Sequence, residues 1–198
     1  MSLVVANKRS TRNSLADNGK GDTLVVDVTS RARDRWQRFS PFYPHGGIPV
    51  PYSPSYQSQS VEGIWQGLKV FERADVDVSR FAVTTMKGLK RSARTYGRIL
   101  GHRQGVNGNR LLDYVDARRA IYLPAYRWVL DNCLRDLVRE LSAIAQERTV
   151  VLLDYSTNAD VDDPSRPLSH AGLVKRYVED DWPACREQPD REGVIVVR

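Results

Sequence analysis

The chain has 198 residues, of which 41% are hydrophobic and 27% charged, with a formal net charge of +6 and a pI near 9.5. That length suits one domain, spanning 1–198, with a sizeable core. No apolar run approaches the roughly 20 residues that cross a bilayer, and residues 1–18 lack a secretory leader's apolar centre, so a cytoplasmic protein without membrane partners is expected. The basic balance favours anionic partners (nucleotides, phosphorylated sugars or nucleic acid) without choosing among them.

In chain order, Leu3 to Ala6 and Thr23 to Thr29 read as β-strands from their β-branched content. The polar stretch between them, from Asn7 to Asp22, reads as a loop, so that residues 1–22 form a strand plus a polar loop. Arg31 to Arg38 suits a short helix. Phe39 to Gln59 then carries prolines at 41, 44, 49, 51 and 54 together with three tyrosines. That proline density forbids regular helix, and the aromatic content points to an ordered loop lying on the core.

The next stretch, Ser60 to Phe71, reads as a helix with Ser60 as its N-cap. Val61, Ile64, Leu68 and Phe71 share one apolar stripe. Glu62, Trp65, Gln66 and Lys69 share the other face, presenting a carboxylate, an indole, an amide and an amine together. Gly63 and Gly67 weaken such a helix by about 1 kcal/mol each, which suggests close approach by a ligand or another backbone. From Phe81 to Leu100 the pattern reads as helical, with Lys87, Arg91, Arg94 and Arg98 on one cationic stripe and Lys90 beside it. That stripe suits either a solvated face or a phosphate-facing edge.

Glycines at 101, 105 and 108 mark a break. Leu111 to Tyr122 reads as one helix. Pro124 then opens a long helix to about Glu147, whose buried stripe is Tyr126, Leu130, Leu134, Leu137, Leu141 and Ile144. Arg148 to Tyr155 reads as a strand, Ser156 to Pro167 as a polar loop and Leu168 to Tyr177 as a helix. Residues 183–198 form a tail with a last strand at Val194 to Val197. The order lacks regular βαβ alternation and predicts a helix-rich α+β domain around one small sheet. Cys133 and Cys185 read as free thiols. His45, His102 and His170 show no metal spacing, and neither a metal nor a cofactor is expected.

No phosphate-loop, dinucleotide, serine-hydrolase or zinc-protease motif is present. What remains is a carboxylate and an amine on one helical face, a basic stripe and an aromatic-rich loop. Arginines hold phosphate, aromatics stack on a base, and a carboxylate stabilises positive charge on an anomeric carbon, so the set suits a phosphorylated ribosyl ligand. It also suits a non-catalytic nucleotide-binding protein, and basic residues interleaved with Tyr and Trp permit nucleic-acid binding.

Arg38-Phe39-Ser40-Pro41-Phe42-Tyr43-Pro44, followed by Ser60-Val61-Glu62, Trp65-Gln66 and Leu68-Lys69-Val70-Phe71, resembles the signature of the YbiA-like, or NADAR, superfamily. The match lies in Phe39, Ser40 and Phe42, then in Ser60, Glu62, Gln66 and Lys69. Pro41 and Gly63 stand where that family usually has Asn and His, and its D-x-x-W-G motif is missing, since Asp160 to Pro167 contains no Trp-Gly pair. The resemblance is of a divergent member and is specific only over residues 38–71. It implies an N-glycosidase acting on a phosphorylated ribosyl or ADP-ribosyl compound, free or on a nucleobase.

Carried over residue by residue, Glu62 matches the family's acid, and Lys69 matches a lysine that attacks the anomeric carbon and forms a Schiff base with the opened sugar. The expected substrate-binding residues are Arg38, Phe39, Ser40, Tyr43, Trp65, Gln66, Lys90, Arg91 and Arg98, with Asp154 at the end of the late strand. The alternatives are a non-catalytic protein that binds nucleotide, ADP-ribose or nucleic acid on the same fold, and an interaction protein. The oligomeric state is left open.

Overall fold

A computed structural model describes residues 1–9 and 23–184 of the chain. Three parallel strands, β1 (Ser2–Asn7), β2 (Thr23–Asp27) and β8 (Thr149–Asp154), form a sheet in the order β1-β8-β2. Leu3, Val26, Val150 and Leu152 bury one face of this sheet. Against it pack α5 (Arg135–Glu147) and α6 (His170–Val178). Two further small sheets complete the α+β domain. One is the hairpin β3 (Ile48–Val50) with β4 (Ser53–Ser58); the other is the antiparallel set β5 (Lys69–Phe71), β6 (Ile99–Arg103) and β7 (Leu111–Leu112). The expectation of one small sheet is thus corrected to three. No helix among the described residues is long and apolar enough to cross a membrane.

Several elements depart from the periodicity reading, each for a physical reason. Helix α1 spans only Val61–Gly67, and Lys69 to Phe71 leave it to become β5. The Ser60 hydroxyl caps the helix by accepting from Gly63 N–H at 3.0 Å. A Cβ on Gly63 would sit 2.8 Å from the Arg80 carbonyl, and one on Gly67 would sit 2.3 Å from the Phe81 ring. The close neighbour that the two glycines admit is therefore the 77–82 segment.

The proline-rich stretch lies on the core, with Phe39 and Ile48 fully buried, but it includes the β3–β4 hairpin rather than loop alone. The short helix expected over 31–38 is a 3-10 turn at Arg35–Phe39, capped by Asp34.

The basic helix expected over 81–100 does not form. The segment is a 3-10 turn (Val78–Ala82), irregular chain, a four-residue helix α2 (Ala93–Tyr96) and strand β6. Buried Leu89 and Arg91 draw this chain onto the core, and Gly88 and Gly97 adopt positive φ. The cationic stripe is consequently dispersed.

Next comes β7, then one continuous helical rod: α3 (Tyr114–Ala117), a π-helical turn (Arg118–Tyr122) and α4 (Leu123–Asn132). Pro124 sits inside this rod instead of opening a new helix. It has no N–H to give, and Leu123 N–H reaches the Arg118 carbonyl five residues back. The long helix expected up to Glu147 breaks at Cys133–Leu134, where Cys133 and Leu134 both bond the Val129 carbonyl. The last strand expected at Val194 to Val197, and Cys185, lie outside the described residues.

Candidate functional site

The carboxyl ends of the three parallel strands open into a cavity of about 690 Å³. Open parallel sheets offer their ligand sites at this edge, because the loops that leave the strands splay apart there. Asn7, Asp154 and the Thr29–Ser30 loop contribute from β1, β8 and β2, while α1 and the π-helical turn supply the facing wall.

Glu62, Gln66 and Lys69 project into the cavity from α1 and the first residue of β5. All three are buried, Glu62 and Lys69 remaining only 7% and 9% exposed. The Gln66 amide bridges the other two. Its nitrogen donates to Glu62 Oε1 at 2.8 Å, and its oxygen accepts from Lys69 Nζ at 3.3 Å. The amide orientation is fixed independently, since Arg91 N–H can only donate and does so to Gln66 Oε1 at 3.1 Å. Burial pushes the Glu62 carboxyl above its usual range, although the Gln66 hydrogen bond and the Lys69 charge pull the other way. Burial likewise pulls the Lys69 ammonium down, against the attraction of Glu62. Both shifts run toward the neutral forms.

The aromatic wall is Trp65, held edge-on by Tyr114 and Tyr122, each at 5.8 Å between ring centroids. The indole also packs on His102, tilted by 33°, with the ring centroids 3.8 Å apart. Burial, with the Lys69 charge nearby, holds His102 down at about 3, so this ring is neutral. Phe42 and Ser40 border the cavity from the proline-rich segment, and Lys90 lies over the Phe42 ring at 5.6 Å.

Asp154 and His170 form the floor. His170 Nε2 lies 2.8 Å from the Val28 carbonyl and Nδ1 lies 3.1 Å from Asp154 Oδ2. Both ring nitrogens face acceptors, an arrangement that favours the doubly protonated imidazole. Burial alone would lower its pKa, but the Asp154 charge and these hydrogen bonds raise it. For Asp154, burial pushes upward and is outweighed by the His170 charge and by donors from His170, Ser169 and the Tyr155 N–H, which hold the carboxyl at about 2. The Ala171 N–H adds a further donor at 3.3 Å. The Asp154 oxygens are thus taken up by protein donors, Oδ1 by the Tyr155 N–H and Oδ2 by groups at the start of α6.

Of the residues expected at the site, the fold brings together Ser40, Glu62, Trp65, Gln66, Lys69, Lys90, Arg91 and Asp154 around the one cavity. Glu62 and Lys69 meet there as expected, but the amine comes from a strand rather than from the same helical face. The Arg91 guanidinium is spent on the carbonyls of Gln66, Lys69 and Asp75, where it closes the end of α1.

Arg38, Phe39, Tyr43 and Arg98 do not line the cavity. Arg38 donates to the Cys133 carbonyl at the end of α4, at 3.0 Å. Phe39 is a core side chain whose carbonyl accepts from the Tyr126 hydroxyl at 2.6 Å. Tyr43 packs on His45. Arg98 is exposed and paired with Glu72.

Residues that periodicity did not point to are Phe42, Tyr114, Arg118, Tyr122 and His170. Arg118 donates to the carbonyls of Val161, Asp163 and Arg166 and stacks on Tyr114, tying the 161–166 loop to the rod. No local signal in the sequence marks it, since Arg118 and Arg119 stand side by side between Ala117 and Ala120.

In comparisons with known proteins, a family model described as "Family of unknown function (DUF6939)" matches residues 7–174. No curated protein and no solved structure matches the chain.

Proposed function

For this chain, which belongs to the DUF6939 family of unknown function, we propose that the cavity cleaves the N-glycosidic bond of a phosphorylated ribosyl compound, ADP-ribosyl compounds included. The observation that carries this reading is the Gln66 bridge, which holds the Glu62 carboxyl and the Lys69 amine to one amide beneath an aromatic wall, with burial shifting each toward its neutral form. The likeness of residues 38–71 to the YbiA-like signature supports it, since the bridged residues are the ones that match.

In this scheme the Lys69 lone pair attacks the anomeric carbon as the bond to the base nitrogen breaks. The electron pair leaves on that nitrogen, which takes the Glu62 proton. The carboxylate so formed then accepts a proton from the alkylated amine, and the sugar opens to a Schiff base. Water adds to that imine, releasing the sugar and the free amine. Trp65, braced on three sides by rings, offers its exposed part to the base, and Lys90 offers its charge to phosphate.

The test is release of free base from a panel of phosphorylated ribosyl and ADP-ribosyl compounds. Turnover by the wild type, with loss in Glu62→Gln and in Lys69→Met, is the expected result. Binding of those compounds by the wild type without base release would replace catalysis with a binding function for the same cavity.

A further inference from the structure

A second cavity, of about 1000 Å³, adjoins the first and shares Ser30, Phe42, Lys90 and Tyr155 with it. Its chemistry is different. Lys8, Arg9, Arg31, Arg33 and Lys90 line it, and no carboxylate does among the described residues. Lys8 is matched by an ion pair with Asp27. Arg9, Arg31, Arg33 and Lys90 have no carboxylate partner among the described residues, and all four are exposed.

The placement follows from the fold. Arg9 lies just past β1, Arg31 and Arg33 just past β2, and Tyr155 just past β8, so the parallel sheet gathers these cations at its carboxyl edge. At the junction of the two cavities the shared rings each carry a cation, Arg9 at 5.4 Å from the Tyr155 centroid and Lys90 at 5.6 Å from that of Phe42. Four unmatched cations around one cavity repel one another, and a polyanion relieves that repulsion. Arginine suits phosphate in particular, because its planar fork bonds two oxygens at once.

We propose that this annex is a phosphate-binding subsite for the distal phosphates of a ligand whose sugar lies between Glu62 and Lys69. The assignment of the sugar rests on the N-glycosidase reading; the anion site does not. It requires a ligand with at least two phosphate groups beyond the reacting sugar, either on a small molecule or along a single strand of nucleic acid.

The experiment is calorimetric titration of inorganic tripolyphosphate into four proteins: wild type, Glu62→Gln, Arg31→Ser/Arg33→Ser, and a control, Arg94→Ser/Arg139→Ser, that removes two exposed arginines elsewhere. Arg31 and Arg33 are exposed, so the unliganded double variant should melt with the wild type, which checks that it folds. Tripolyphosphate should bind wild type and Glu62→Gln alike. Its affinity should fall about tenfold or more in Arg31→Ser/Arg33→Ser and by less than about twofold in the control. A short single-stranded oligonucleotide that binds more tightly than tripolyphosphate, with the same dependence on Arg31 and Arg33, would identify a strand as the source of the phosphates. No binding of either probe, or equal losses in the two double variants, overturns the proposal. Because Glu62→Gln reports on binding alone, a failure of catalysis is distinguished from a failure of the subsite.

Discussion

Glu62 accepts a 2.8 Å hydrogen bond from Gln66, one turn further along α1, and both side chains are buried. The bond turns an i, i+4 pair into a device. It leaves Glu62 Oε2 without a hydrogen-bond partner among the described residues, and it aims the Gln66 oxygen at Lys69 and at the Arg91 N–H.

Gln66→Leu keeps the bulk and removes the bridge. The Arg91 N–H loses its acceptor and Lys69 Nζ loses its only hydrogen bond among the described residues. Leaving such groups unsatisfied costs about 1–3 kcal/mol each. The expected outcome is a lower urea midpoint and a loss of base release larger than the loss of substrate affinity.

A Schiff base formed by Lys69 is trapped by reduction. Incubation with substrate and borohydride should add the opened sugar at Lys69, as located by peptide mass spectrometry. Turnover with no adduct at Lys69 would leave the acid Glu62 without a covalent partner. Base release should follow a bell-shaped pH profile. Burial raises the Glu62 pKa and lowers that of Lys69, so the two limbs should lie closer together than the ordinary values of a carboxyl and an amine would set them.

The Asp154–His170 pair makes stability depend on pH. Asp154 is held at about 2 against a reference of 3.8, so its contribution is complete above pH 3.8 and is lost as pH falls toward 2. The pKa of His170 is raised above 6.5, so its contribution is complete below pH 6.5 and is lost as pH climbs through the raised value. The pair therefore stabilises most between pH 3.8 and 6.5. Asp154→Asn should cost about 3 kcal/mol at pH 5.5, because it strands a buried imidazolium, and less at high pH, where the ring is neutral. Urea midpoints of both proteins at pH 5.5 and 9 check this.

Gly63→Ala tests whether packing outweighs helix propensity. Alanine is favoured over glycine by about 1 kcal/mol in a helix. Here its Cβ would meet the Arg80 carbonyl at 2.8 Å and the Ser58 hydroxyl at 2.7 Å. Overpacking costs about 1–3 kcal/mol, so the variant should be less stable than wild type by thermal unfolding.

Local patterns made parts of this architecture legible. The β-branched runs at β1, β2 and β8, the Ser60 cap, the buried leucines of α5 and the α6 helix all rest on neighbours within a few residues, and they stand near where the pattern puts them. Periodicity misled wherever tertiary contacts overrode it. Lys69 to Phe71 continue the helical spacing of α1, but pairing with β6 takes them into a sheet. Arg91 has the spacing of a surface stripe, yet its guanidinium is buried against three carbonyls. No local rule reveals such partners.

By itself the sequence determined a basic α+β chain whose acid, amide and amine recur at helical spacing beside an aromatic-rich, proline-stiffened segment. Such features depend on covalent order and on the period of the backbone. Only the tertiary structure decided which charges face a ligand and which are consumed as caps and ties. It set Arg38, Arg91 and Arg118 on main-chain carbonyls, and it collected Arg9, Arg31 and Arg33 at one sheet edge. The physical reason is that a charge's role depends on its distance in space from acceptors and on the water left around it, and the fold alone sets both.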